Sequence, residues 1–318
     1  MRPEPPGPPA GVVRAALVRA EDAPGPTLVV RLDQLPVGAL ALGAELARLR
    51  HALSGTEYAD LRKIALYGPG GPGRDLDYRF VQALPDGGFD FRAGCGHSLL
   101  AAVVADGPRS GPVTVRAVTT GDTVLCEPYG DAYTLSFLKA PTAPGTLPTG
   151  RPVDVLSGVP VSLVRYGNPY VFVDARHLPE ADDENEDEGE GEDEGEGEDE
   201  DALRDRLLAL RSEAARLLGY APRSALPKIA AFTAGPEGLS VRALTVGGWH
   251  PRLALTGAAA LAAAGALDGT VVPAPTGPVR TPGGTVTVSA GADRVRVHHK
   301  RAQVLGSLEL PWRIHATA

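Results

Sequence analysis

Two cysteines, one methionine and two tryptophans are all that 318 residues contain of those types, and aromatic residues make up only 5% of the chain. Cys95 and Cys126 supply neither a disulfide framework nor a cysteine-rich metal cluster, so no metal is expected. Long apolar runs are missing too: the most apolar stretch, residues 254–267, is mostly Ala and Gly and too short to span a bilayer. The opening MRPEPPGPPAG has no positive region followed by an apolar one, so no secretory signal is expected. No basic cluster interleaved with aromatics occurs, which argues against nucleic acid as a partner. These absences lead to the expectation of a cytoplasmic protein with no membrane attachment.

The formal charge of −8 conceals two populations of residues. Residues 180–201 hold 16 Asp and Glu and no Lys or Arg, and without them 31 basic residues face 23 acidic ones. A mildly basic globular body therefore carries an acidic insert. That segment, EADDENEDEGEGEDEGEGEDED, has too little apolar surface to offset the entropy of ordering, and a solvated, disordered loop is expected over 180–201. Val, Leu and Ala supply the core in the remainder.

Residues 1–10 are Pro-rich and read as a disordered tail. Strand-like runs follow at 12–18 and 27–32, then a helical stretch around 37–53, then strands at 63–67, 78–82, 113–117 and 123–126. Residues 99–105 form a short apolar helix candidate, with Ser98 at the N-cap position and Asp106-Gly107-Pro108 as its stop. Beyond the acidic segment, Leu203, Leu207, Leu210, Ala214 and Leu217 fall at helical spacing and Gly219 ends the run.

An internal repeat organises these pieces. Lys63-Ile64-Ala65-Leu66 in the first half is answered by Lys228-Ile229-Ala230-Ala231 in the second. Each half then reaches a small polar cluster that opens an apolar helix, Gly94-Cys95-Gly96-His97-Ser98 in one and Leu255-Thr256-Gly257 in the other. Both helices end at Asp-Gly, and a Val/Thr strand follows each. Four matches in the same order imply a duplicated α/β unit. Helices that are apolar all round belong inside their own curved sheets.

Cys95 lies between glycines just before a helix N-terminus, where unpaired N–H groups and the positive end of the helix dipole favour thiolate and carboxylate alike. Lys63, opening a strand, carries no such signal by itself.

Together these stretches resemble the PrpF-type family, which includes 2-methylaconitate isomerases, methylitaconate isomerases and oxalomesaconate tautomerases. The resemblance rests on Lys63-Ile64-Ala65-Leu66, Asp77-Tyr78-Arg79-Phe80-Val81-Gln82 and Gly94-Cys95-Gly96-His97 in the first half. Leu147-Pro148-Thr149-Gly150, Gly167-Asn168-Pro169-Tyr170, Pro227-Lys228-Ile229 and the run from His250 through Thr256-Gly257 to Asp268-Gly269-Thr270-Val271 continue it in the family's order. It implies a diaminopimelate-epimerase-like fold of the mixed α/β class: two pseudo-symmetric lobes, each a curved, mostly antiparallel sheet around a central helix. The first lobe is expected over 11–130, with residues 303–318 returning to it as a strand, and the second over 131–302. The implied activity is a cofactor-independent isomerisation, an allylic 1,3-proton shift or a cis–trans change, on an unsaturated di- or tricarboxylic acid. Lys63 and Cys95 are the implied acid/base pair. Gly96, His97, Ser98, Asn168, His250, Thr256 and Gly257 are the implied substrate contacts. No cofactor is implied, and a homodimer is left open.

Two segments depart from the family pattern. Its N-terminal Arg-Gly-Gly-Thr-Ser-Lys-Gly is replaced by Arg19-Ala20-Glu21-Asp22-Ala23-Pro24-Gly25, and its Asp-Gly-Met-Gly-Gly by Ser54-Gly55-Thr56-Glu57-Tyr58. Lys300-Arg301-Ala302-Gln303 matches a late Arg-Thr-Ala-Arg only loosely. Acidic residues thus stand where donors to a substrate carboxylate are expected, which points to a different substrate. Another reaction of the same fold, such as epimerisation or dehydration, and a non-catalytic homologue are the alternatives. Two-thiol epimerisation is disfavoured, because Thr256 answers Cys95 and Cys126 lies in no matching motif.

Overall fold

The computed structural model describes residues 11–36, 38–178, 195–221, 224–245 and 248–313. The expected tail, 1–10, and most of the acidic insert lie outside these residues. Two compact units divide the chain: residues 1–139, 254–256 and 296–318 form the first, and 140–253 and 257–295 the second.

The first unit contains β1 (Val12–Ala20), β2 (Thr27–Arg31), α1 (Ala39–Leu53), β3 (Lys63–Pro69), β4 (Leu76–Ala83), β5 (Phe89–Asp90), α2 (Gly96–Ala105), β6 (Val113–Ala117), β7 (Thr123–Tyr129) and β8 (Ala132–Phe137). The second contains β9 (Asp154–Leu156), β10 (Val159–Tyr166), β11 (Asn168–Asp174), α3 (Gly195–Leu217), β12 (Lys228–Gly235), β13 (Gly238–Thr245), β14 (Gly248–Trp249), α4 (Leu255–Gly265), β15 (Val279–Thr281), β16 (Gly284–Val286) and β17 (Val288–Ala290). The chain then returns through β18 (Val295–Lys300) and β19 (Ala302–Pro311).

The duplication inferred from sequence is explicit in the pairing. In the first unit the strands run β7-β6-β4-β3-β2-β1, and in the second β16-β15-β13-β12-β11-β10. Both orders alternate antiparallel, parallel, antiparallel, parallel, antiparallel. One helix, α1 or α3, precedes the lysine strand, and another, α2 or α4, precedes the second parallel strand. Even the register repeats: Lys63 lies opposite Thr27, and Lys228 opposite Tyr170.

Each sheet buries both faces. Ile64, Leu66 and Val81 point to one side of the first sheet, where they pack with Leu42, Leu46 and Leu49 of α1. Residues of the opposite parity, among them Thr27, Lys63 and Tyr78, occupy the other face. The side chains of Leu99, Leu100, Ala101, Ala102 and Val103 on α2 are all buried, so this helix has no solvent face. In the second unit Val161, Leu163, Val171, Val173 and Ile229 pack with Leu207, Leu210 and Ala214 of α3. α4 is as fully buried as α2, its residues 258–264 all being alanine or leucine at or below 1% exposure.

The first sheet continues past β7 through β8 and β18 to β17 at one end, and past β1 to β19 at the other. β18, the last strand but one at its end, and β19 are separated in sequence by Arg301 alone, so the two ends of this sheet are brought close and the sheet is rolled. Charge holds the junction. Lys300 donates to Asp22 at 2.9 Å with both side chains almost completely buried, and Arg301 bonds Asp131 at 2.8 Å and lies 3.6 Å from Glu21. Asp22 adopts a left-handed conformation (φ 69°), which aspartate tolerates better than most residues.

Three expectations need correction. β8 belongs to the first sheet, so that lobe runs past residue 130; Gly130 (φ 61°) and Asp131 close a two-residue hairpin that returns the chain onto β7. α3 begins at Gly195, inside the segment expected to be disordered to residue 201. Glu200, in its second turn, pairs with Arg242. α3 ends as expected at Gly219, whose φ of 71° allows Gly219 N–H and Tyr220 N–H to bond back to Arg216 and Ala215. The helix candidate at 99–105 starts at Gly96, and its N-cap is Cys95, not Ser98. Val37, the expected start of α1, lies outside the described residues, and the helix is seen from Ala39.

Either single change at the buried pair, Lys300→Met or Asp22→Asn, strands the other group and costs about 3–5 kcal/mol. Joint replacement by Asp22→Leu and Lys300→Met costs much less. Equilibrium urea unfolding of the three variants checks this ordering.

Candidate active site

β3 begins at Lys63, and its neighbours in the same row of the sheet are Thr27 on β2 and Gln82 on β4. Gln82 in turn lies opposite Asp90 on β5. The row faces α2, and Lys63 is only 9% exposed. Among the described residues Lys63 forms no ion pair. Burial holds its ammonium pKa below the ordinary 10.5, and the nearby Cys95, when ionised, partly offsets that shift. The two residues singled out from sequence are thus within electrostatic range of each other.

Cys95 is partly exposed and takes an extended conformation (φ −144°, ψ 110°) at the N-cap of α2, and no side chain caps the helix there. The first N–H groups of α2, on Gly96, His97 and Ser98, therefore receive no capping side chain. The Cys95 carbonyl accepts the N–H of Leu99 at 2.9 Å and the hydroxyl of Tyr78 at 3.0 Å. Tyr78 is itself 1% exposed; burial, and then the negative charge of an ionised Cys95, push its phenol well above 10.0, so it stays un-ionised. Ser98 is fully buried and its hydroxyl bonds Thr27 Oγ1 at 3.0 Å. Having spent its hydroxyl inside the fold, Ser98 has only its N–H to offer a ligand. His97, the second residue of α2, is 1% exposed.

The remaining candidates divide between the units. Asn168 opens β11 after Gly167 (φ 74°) and is buried. Its neighbour Tyr170 touches the first turn of α4: a Cβ added at Gly257 would lie 2.6 Å from the Tyr170 hydroxyl, so a glycine is required there. His250 is buried, its N–H donates to the Ala243 carbonyl and its Nδ1 accepts the N–H of Arg252 at 3.1 Å. Thr256 is the second residue of α4 and clusters with the first unit. Cys95 precedes α2 whereas Thr256 stands inside α4, so the equivalence drawn from sequence is offset by two positions, part of which is ordinary uncertainty in helix ends.

Tyr78 and Thr27 received no role from the sequence. Tyr78 lies in the segment Asp77–Gln82 that carries part of the family resemblance. Its alternation with Phe80 and Gln82 places it on the α2 face, which was the available signal. Cys126, by contrast, is fully buried in β7 and burial pushes its thiol far up, so it offers no second reactive thiol. Among the described residues no group of three or more His, Cys, Asp or Glu could hold a metal ion, and no helix is long and apolar enough to cross a membrane.

Two topologically repeated lobes, each with a buried helix whose N-terminus adjoins the lysine strand or its neighbour, define the diaminopimelate-epimerase-like class of α/β proteins. A family described as PrpF protein matches residues 111–308, more than half of the chain, and the chain belongs to that family. A solved structure titled methylitaconate-delta-isomerase is similar at 20% identity and a TM-score of 0.61, covering 94% of this chain and 96% of that one. A Bacillus anthracis phenazine biosynthesis protein of the PhzF family is similar at 12% identity and a TM-score of 0.50, covering 94% and 99%. No curated protein matches.

A buried ammonium without a counter-ion costs stability. Because the Lys63 pKa is lowered in the fold, this cost is complete at pH below the folded value and disappears as pH rises from there to 10.5. Lys63→Met is thus expected to be more stable than the wild type by about 1 kcal/mol at neutral pH. The advantage should shrink as the solution is made alkaline. Thermal unfolding of both proteins over a pH series measures it.

Proposed function

We propose that the protein is an isomerase that moves a proton on an unsaturated di- or tricarboxylic acid, with Lys63 and Cys95 as the exchanging pair. The observation that carries this reading is the buried Lys63, free of any carboxylate partner among the described residues and coupled electrostatically to Cys95 at the mouth of α2. Membership of the PrpF family and the likeness of fold to a methylitaconate isomerase agree with it.

An allylic 1,3-shift needs a base at one carbon and an acid at another. The neutral form of Lys63, which burial favours, removes a proton from the allylic carbon, and the electron pair moves into a dienolate spread onto the adjacent carboxylate. The Cys95 thiol returns a proton at the far carbon. Proton transfer between the resulting ammonium and thiolate restores both groups. The N–H groups of Gly96, His97 and Ser98 are proposed to hold a carboxylate and its developing enolate charge. Asn168, His250, Thr256 and Gly257 are proposed as further substrate contacts. No step requires a cofactor. Asp22 and Glu21, standing where the family pattern has donors, pair with Lys300 and Arg301 and, being carboxylates, supply no donor to a second carboxylate of the usual substrates. The burial of Cys126 disfavours two-thiol epimerisation as the second reading.

Deuterium incorporation from solvent into methylaconitate, methylitaconate and related unsaturated acids, followed by NMR, tests the reading. Wild type is expected to exchange and isomerise at least one acid, and Lys63→Ala and Cys95→Ser each to slow it by about 10²–10⁴-fold. Undiminished turnover in both variants would remove these residues from the chemistry. No exchange by wild type across the panel would favour a non-catalytic protein.

A further inference from the structure

Gln82 lies directly opposite Lys63 in the sheet, and backbone groups clamp its side-chain amide. Nε2 donates to the Arg62 carbonyl at 2.8 Å and to the Ala83 carbonyl at 3.3 Å. A carbonyl only accepts, so the amide nitrogen, not the oxygen, must be turned to these two groups. Both N–H protons are thereby spent. Oε1 receives no donor among the described residues, although Gln82 is only 8% exposed. The side chain therefore presents an acceptor and nothing else.

The clamp reaches across to the strand of the lysine. Arg62 is the residue before Lys63, so the Gln82 amide is one hydrogen bond away from the peptide that leads into the lysine. The Arg62 carbonyl also accepts the N–H of Ala83 at 2.9 Å, which makes Arg62 and Ala83 a bonded pair of this ladder and Lys63 and Gln82 the unbonded pair beside it. In an unbonded antiparallel pair the Cα atoms approach to about 4.5 Å and the side chains run closest. The titratable groups on the surrounding elements are Asp90 on β5, Tyr78 on β4, and Cys95 and His97 at the opening of α2. Asp90 accepts the N–H of Arg92 at 2.7 Å, and among the described residues no carboxylate pairs with Lys63. A proton taken up by Lys63 thus creates a cation with no anion of its own. A carboxylate at position 82 would hold the lysine charged throughout, and an apolar side chain would leave the new ammonium without an acceptor. A neutral amide oxygen supports the charged form and still lets the proton leave.

We propose that Gln82 is a positioning residue for Lys63: the strand backbone fixes its amide nitrogen, and its Oε1 accepts a hydrogen bond from the ammonium that forms when Lys63 takes up a substrate proton. The assignment rests on the reading of Lys63 as the proton-accepting group, but its test does not need turnover.

The composition makes the measurement direct, because the chain has only the lysines Lys63, Lys139, Lys228 and Lys300 and the glutamines Gln34, Gln82 and Gln303. Full-length protein carrying carbon-labelled lysine and side-chain nitrogen-labelled glutamine gives sparse NMR spectra. The Lys63 and Gln82 signals are identified by their loss in Lys63→Met and Gln82→Met. Titration from neutral to alkaline pH is expected to show the Lys63 midpoint lower by roughly one pH unit in Gln82→Met, with the other three lysines unmoved. In wild type the Gln82 amide signal is expected to shift with the Lys63 midpoint. A role in packing alone would lower the thermal midpoint and leave the Lys63 titration in place, and that result overturns the proposal. Should Gln82→Met not fold, the wild-type amide signal decides it: indifference to the Lys63 titration is equally fatal. If wild type turns over no acid yet the two titrations are linked, the Gln82 contact stands and the isomerase reading falls. Turnover by wild type with unlinked titrations has the opposite meaning.

Discussion

A ten-residue helix with an apolar side chain in every direction cannot lie on a protein surface, and α2 is such a helix. The sheet of the first unit has to enclose it. Enclosure rolls the sheet until β18, near one end, and β19, at the other, are one residue apart in the chain. The rest of the unit follows from that requirement: the second face of the sheet is covered by α1, the junction is closed by charge, and α2 meets polar groups only at its two ends. The residues with reactive side chains collect there because the remaining length of the helix has no room for them.

Polar groups admitted to such an interior must be accounted for individually. At the far end of α2, Asp106 caps the helix and meets Arg31 at 3.1 Å. At the near end the hydroxyls of Thr27 and Ser98 bond each other, and that of Tyr78 donates to the Cys95 carbonyl. Lys63 is the exception, a cation beside these groups that forms no ion pair among the described residues. Its position is unfavourable for the charged form, and burial lowers its pKa.

The repeat, the two lysine strands, the enclosed helices and the amphipathic α3 were legible because each writes a local pattern: alternation in strands, apolar residues on all sides of a helix, Asp-Gly at its end. Lys63 and Cys95 were legible only through their motifs. What escaped was set by contacts distant in sequence. Ser98 reads as a cap because a serine before an apolar run usually is one, yet its hydroxyl is claimed by Thr27, 71 positions away. The acidic residues at 21–22 read as a lost binding motif, whereas Asp22 has Lys300 as its partner across 278 positions. Two segments that each look eroded are halves of a single buried ion pair. β8 was assigned to the wrong lobe because nothing local distinguishes a hairpin that returns from one that departs.

The same long span has a consequence for how the chain assembles. β1 pairs with β19, so an early strand waits for one made about 280 residues after it. Until then its outer edge and the flank of α2 lack their cover, while the second unit, whose residues 140–295 are contiguous apart from three, has everything it needs. Contacts of high sequence separation are slow to form, and an incomplete sheet edge invites pairing with other chains. On the ribosome the second lobe is positioned to mature first, with the first lobe closing around its helix only when the C-terminal strand is released.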